Sequence, residues 1–390
     1  MKDNIRFKNM TISSFIILIF LHISYSFKRE PYSLLNNSKI ILKINGTGPQ
    51  RIFSEDYNGF PDSTKLKINN GNEEDFNTNS HPYVVNLENS PNIIEITWMS
   101  NLVNCSKMFS GCENITEVDL SGFVGTNVER FDFMFENCTS LTSIIISDLD
   151  TSSAVNMSVF FVRCESLLSL NLSFLDTSKV KNMSSMFKNC SSLKYIDLSK
   201  LNTSSVQDMS LLFFGCKSLI SLDLEHFDTR NVIINNKTFE DCRQLRQLKL
   251  KNFITSKVTD LYRLFNGCEK LISLNLSGFD TSGVSKMVSL FWGCKELKSL
   301  DLSSFNTLKL RNIDGMFKDL SSITALNLSN FVTPELRIIN KAFSGCTNLV
   351  NLDISNLDTS KVTTMEEVFE DCISLKSINL HILTLLKQKR

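Results

Sequence analysis

The chain has 390 residues, and its 41 Lys plus Arg are matched by 41 Asp plus Glu. That balance leaves no net field to draw in nucleic acid or an anionic membrane surface. Hydrophobic residues make up 42% of the chain, with only 6 Pro and 14 Gly, which suits a continuous core and excludes a low-complexity chain.

Residues 1–26 read as a secretory signal peptide. Lys2, Arg6 and Lys8 form a charged start, the run Ile12 to Ile23 is nearly all apolar, and Ser24-Tyr25-Ser26 offers small residues before Phe27. The apolar run falls short of the about 20 residues that a membrane span needs, so secretion is expected over an uncleaved signal anchor. Membrane association would then require that anchor or a partner. Residues 27–82 are polar, Asn-rich and aperiodic, and are expected either to cap the remainder of the chain or to stay partly disordered. Ile93 to Trp98 has the alternation of a strand and is read as part of a degenerate first coil, with Cys105 in its Met slot.

From there a fixed period takes over. Cys112, Cys138, Cys164, Cys190, Cys216, Cys242, Cys268 and Cys294 stand 26 residues apart, Leu320 takes the next slot, and Cys346 and Cys372 resume the count. A Phe stands three residues ahead of every slot, from Phe109 to Phe369. A period of this size is the signature of a solenoid, whose units bury apolar surface only against their neighbours. The solenoid is placed at residues 83–380, with a short basic tail at 381–390.

Val180 to Leu198 serves as the model unit. Val180, Met183, Met186, Phe187, Cys190 and Leu193 recur at steps of three or four, which predicts one stripe of a helix, with Asp176-Thr177-Ser178 as its N-terminal cap. Ile196 and Leu198 then alternate with Tyr195, Asp197 and Ser199, the pattern of a short half-buried strand. Phe187, Cys190, Leu193, Ile196, Leu198, Phe213 and Cys216 are the expected core. The fold class expected is a right-handed α/β leucine-rich-repeat solenoid of about eleven turns, with parallel strands on one face and helical segments on the other.

The repeated phrase resembles a known family. Met186-Phe187-Lys188-Asn189-Cys190-Ser191-Ser192-Leu193, then Ile196-Asp197-Leu198-Ser199, is similar to the repeats of BspA-like leucine-rich-repeat surface proteins. Phe279-Asp280-Thr281-Ser282-Gly283-Val284 matches their FDTSxV phrase, and the resemblance covers about residues 93 to 380. It implies a secreted or surface-displayed scaffold for adhesion or partner binding, and supplies no catalytic residues to carry over.

Cysteines in a ladder invite a disulfide reading, because stacked Cα atoms about 5 Å apart fall within bridging range and the secretory route is oxidising. Free buried thiols are expected instead, since Cys shares a stripe with Phe and Leu and Leu320 replaces it without disturbing the register. Cys105 is expected to be the exposed or bridged one. His is scarce, with His81, His226 and His381 after the signal, and no Gly-rich phosphate loop, paired-acid motif or metal-ligand spacing appears, so neither an enzyme, a cofactor nor a metal is expected.

The outward strand columns remain. One reads Asp119, Ile145, Asn171, Asp197, Asp223, Lys249, Asn275, Asp301, Asn327 and Asp353, a Ser-rich column from Ser121 to Ser355 runs beside it, and Lys249 and Lys251 interrupt the two. Asp197, Asp223, Lys249, Lys251, Asn275 and Asp301 are therefore the expected contacts for a protein or glycan ligand. A coat component that self-associates end to end is the alternative function. Asn-x-Ser/Thr sequons such as Asn36, Asn45, Asn104, Asn114, Asn137, Asn156, Asn182, Asn202 and Asn236 are frequent enough to arise by chance in so Asn-rich a chain.

Overall fold

The computed structural model describes residues 38–376, apart from residues 62, 78–82 and 148. The expected signal peptide, Asn36, His81, the last residues of the expected solenoid (377–380) and the basic tail lie outside the described residues.

The region before the repeats is built of strands. β1 (Ser38–Ile44), β2 (Gly48–Arg51), β3 (Lys65–Ile68), β4 (Glu73–Asp75), β5 (Val84–Leu87) and β6 (Asn92–Trp98) precede the first repeat strand, β7 (Ile115–Asp119). β1 lies between β6 and β7 and is antiparallel to both, with Ile40 opposite Ile96 and Leu42 opposite Val118. Alternation explains it: Ser38, Ile40, Leu42 and Ile44 face inward while Lys39 and Lys43 stay half-exposed. Two expectations change here. The stretch taken as aperiodic contains ordered strands, and Ile93 to Trp98 belongs to this antiparallel sheet rather than to a first coil.

The repeats form a β-solenoid of about 9 turns. This is fewer than the about eleven turns expected from the Phe slots, and the strand of the first repeat, β7, pairs with β1. Parallel strands β8 (Ser143–Ile145), β9 (Ser169–Asn171), β10 (Tyr195–Asp197), β11 (Ser221–Asp223), β12 (Gln247–Lys249), β13 (Ala325–Asn327) and β14 (Asn351–Asp353) succeed one another on one side.

The opposite side corrects the helical expectation: among the described residues there is no helix. Met186, Lys188, Cys190 and Leu193 each donate a backbone N–H to the carbonyl three residues back, so the chain turns every few residues. Between these turns, Met183, Ser185, Phe187 and Asn189 donate instead to Asp208, Ser210, Leu212 and Phe214 of the next coil at 2.7–3.0 Å. Ser185 and Asn189 hold φ of 56° and 59°, a left-handed conformation that no α-helix accommodates. Serial turns reproduce the helical spacing of buried side chains while directing alternate N–H groups along the stack. Asp176 is likewise not a helix cap; its Oδ1 accepts the Ser178 N–H at 2.9 Å to form a corner, and Thr177 is buried.

The core runs the length of the stack. From Phe109 to Phe369 successive rings lie 5.4–6.1 Å apart and within 15° of parallel, and Phe53 of the cap adds another ring at 5.6 Å. Phe187, Cys190, Leu193, Leu198, Phe213 and Cys216 are buried, and Ile196 is half-buried against them. All eleven cysteines are free. Beside the ring column, thiols from Cys138 onward donate to the carbonyl of the Phe one coil earlier, Cys190 to Phe161 at 3.1 Å for example. Burial pushes the thiols from Cys138 to Cys294 up, Cys190 and Cys294 to about 12, so they stay protonated donors. Cys105, expected to be exposed or bridged, is fully buried because the cap strands cover the first coil.

Candidate functional site

The polar columns of the strand side are first of all corners. Oδ1 of Asp119, Asn171, Asp197, Asp223, Asn275, Asp301, Asn327 and Asp353 each accepts the backbone N–H two residues on, at 2.8–3.1 Å. A short side-chain acceptor at this place satisfies a backbone donor and fixes the chain reversal. Asp197 and Asp301 do this and stand exposed on either side of the central coils.

Lys249 cannot accept such a bond. Its Nζ reaches back one coil to Asp223 Oδ2 at 2.7 Å, and this hydrogen bond holds the Asp223 carboxyl below its usual range while raising Lys249. Both side chains are more than half exposed, so the pair adds little to stability.

The sheet also gives way here. β9 pairs with β10, β11 with β12 and β13 with β14, each as a separate two-stranded ladder. Residues 273–275 and 299–301, which come after β12 in the stack, form no strand. A groove of about 390 Å³ opens at this break, lined by Glu225, Gln247, Leu248, Lys249, Leu250, Lys251, Ser273 and Asn275. The structure thus gathers Lys249, Lys251 and Asn275 of the expected set, with Asp223 tied to Lys249, and leaves Asp197 and Asp301 outside the lining. Gln247 and Ser273 were missed by sequence reasoning. The signal was the column shared with outward-facing Tyr195, which places both beside Lys249 on the exposed side.

Chemically the groove offers hydrogen-bonding groups and, among the described residues, two charges outside any ion pair, the Lys251 ammonium and the Glu225 carboxylate. Among the described residues, Lys251 has no ion-pair partner, whereas Lys249 is engaged. Glu225 contributes a carboxylate, while Gln247, Ser273 and Asn275 supply amides and a hydroxyl. Nothing here pairs a nucleophile with a base, and among the described residues no group of three or more His, Cys, Asp or Glu could hold a metal ion.

A family described as Mycoplasma protein of unknown function, DUF285, matches residues 103–219, 188–274 and 315–381. The chain belongs to this family. DUF285 repeats therefore cover most of the solenoid, and no curated protein is similar to the chain. Among solved structures, a leucine-rich repeat protein from Bacteroides ovatus is 23% identical, with 70% of this chain and 80% of that one covered and a TM-score of 0.33. A leucine-rich cell surface protein from Faecalibacterium prausnitzii is 18% identical, with 70% and 74% covered and a TM-score of 0.38. A leucine-rich repeat protein from Leptospira interrogans is 13% identical, with 68% and 84% covered and a TM-score of 0.20. The DUF285 matches fall on the part of the chain where the repeat phrase recurs. Among the described residues, no helix is long and apolar enough to cross a membrane.

Proposed function

We propose that this DUF285 protein is a non-catalytic, secreted or surface-displayed scaffold that binds an extended protein or glycan ligand along its strand side. The single observation carrying this reading is the groove between Lys249 and Asn275. It lies where the corner column is interrupted and where an unpaired ammonium, Lys251, stands beside amide and hydroxyl groups. Ligand sites are concave and carry a few convergent polar groups, and this face supplies both. The apolar run before Phe27 supports export, and the solenoid supports an elongated contact surface.

The test is binding to immobilised matrix proteins and glycans. Lys249→Glu/Lys251→Glu should weaken binding about tenfold or more, as expected when a like charge replaces a contact cation. Asp197→Ala/Asp223→Ala should have a smaller effect, because Asp197 lies outside the groove and Asp223 acts through Lys249. Unchanged binding in both variants would remove the groove from the site.

A further inference from the structure

On the turn side, away from the groove, seven side chains form an alternating row of cations and rings across six consecutive coils. Lys188 Nζ and Lys237 Nζ lie 5.6 and 6.0 Å from the Phe214 ring centre. Lys237 Nζ and the Arg263 guanidinium lie 5.3 and 5.1 Å from Tyr262. Arg263 and Lys318 Nζ lie 5.9 and 5.1 Å from Trp292. Each ring therefore meets two cations, and Lys237 and Arg263 each serve two rings.

The fold itself requires nothing large at these places. Ser184, Ser210 and Asn266 fill the same columns in nearby coils, and those coils stack equally well. The row is an addition to the solenoid, and Trp, Tyr and Arg are the residue types that dominate binding hot spots. Its charge is uneven. Glu240 lies beneath, its side chain only 6% exposed, accepting from Arg263 at 3.2 Å and standing 3.7 Å from Lys237. Asp319 accepts the Trp292 indole N–H at 2.9 Å. Among the described residues, Lys188 and Lys318, at the two ends, form no ion pair.

We propose that this row is a second interaction surface, which takes an extended acidic segment of a partner protein. Coils repeat about every 4.8 Å, so the four cations fall at intervals of roughly 10, 5 and 10 Å along a straight line. About seven residues of extended chain at ~3.3 Å each span that distance and can place a carboxylate near every cation. A sugar would need open ring faces, and here each ring already meets two cations.

The full chain is titrated with poly-L-glutamate and, separately, with heparin, tracking Trp292 fluorescence at low and high salt. Poly-L-glutamate should bind, with an affinity that falls as salt rises and drops about tenfold or more in Lys188→Glu/Lys318→Glu. Neither of those lysines ends an ion pair, so this variant should stay folded with only a small drop in melting temperature from the two lost cation–ring contacts, and Lys249→Glu/Lys251→Glu should bind poly-L-glutamate normally. Unchanged affinity in Lys188→Glu/Lys318→Glu would overturn the proposal. So would tight binding of heparin with no response to poly-L-glutamate, which would assign the row to an anionic glycan.

Discussion

At the residue scale, small polar side chains carry much of the architecture. Thr177, Thr203, Thr229, Thr255, Thr281 and Thr307 are buried, and each hydroxyl donates to the carbonyl 25 residues ahead at 2.8–3.0 Å. Thr229 also accepts the Ile254 N–H at 2.7 Å, so one hydroxyl satisfies both backbone groups of the next coil. Thr229→Val, nearly isosteric, leaves both unpaired and should lower stability by about 1–3 kcal/mol in chemical denaturation, whereas Thr229→Ser should retain most of it. Sequons find a cause at the same scale. Asn104, Asn156, Asn182 and Asn202 accept the N–H of the Ser two residues on, so Asn-x-Ser is the spelling of a corner. Asp-Thr-Ser reads equally as a helix cap or as a corner leading into a buried hydroxyl, because both place a short acceptor before an exposed donor. Only the carbonyl of the neighbouring coil tells them apart.

At the element scale, the coil was legible and its backbone was not. The buried stripe from Val180 to Leu193 was read residue for residue, since burial depends on the recurrence of apolar side chains. The backbone between them could not be read, because serial three-residue turns and an α-helix give nearly the same spacing, and the left-handed residues occupy slots filled by Ser, Asn, Lys, Arg and Gly alike. β1 escaped notice because its seven alternating residues lie in an Asn-rich stretch that lacks the repeat. The cation and ring row was hidden for another reason: its members come from three different columns, so no single one shows a pattern. Packing at this scale is testable through the ring column. Phe213 is fully buried with Phe187 and Phe239 on either side at 5.4 and 6.0 Å. Phe213→Ala should cost about 3–5 kcal/mol, measured as a shift in the denaturation midpoint; a loss below about 1 kcal/mol would mean that the column is not a close-packed core.

At the scale of the whole molecule, the two ends of the stack differ. β1 pairs with β7 and so occupies the edge that the first repeat strand would otherwise present. In the last described coil Phe369, Cys372 and Leu375 are only half-buried, and Ile373 is 82% exposed. An end-to-end polymer needs two complementary open edges, and β1 closes one of them. Light scattering over a concentration series should therefore show no growth into filaments, and steadily increasing mass with concentration would restore the coat-protein alternative.

The bonds along the stack also fix how this molecule can change in size. The rungs from Met183, Ser185, Phe187 and Asn189 each join a donor to an acceptor 25 residues further along the chain, and ring, thiol and hydroxyl repeat in the same phase. Excising one whole period, Val206 to Asn231 for instance, brings Ser205 against Val232 with every column still in phase. Losing one residue fewer would set every later column one place out, with Thr238 opposite Phe187 and Phe239 opposite Lys188. Length in such a protein is therefore quantised: it can gain or shed entire coils by duplication and deletion, and almost nothing in between.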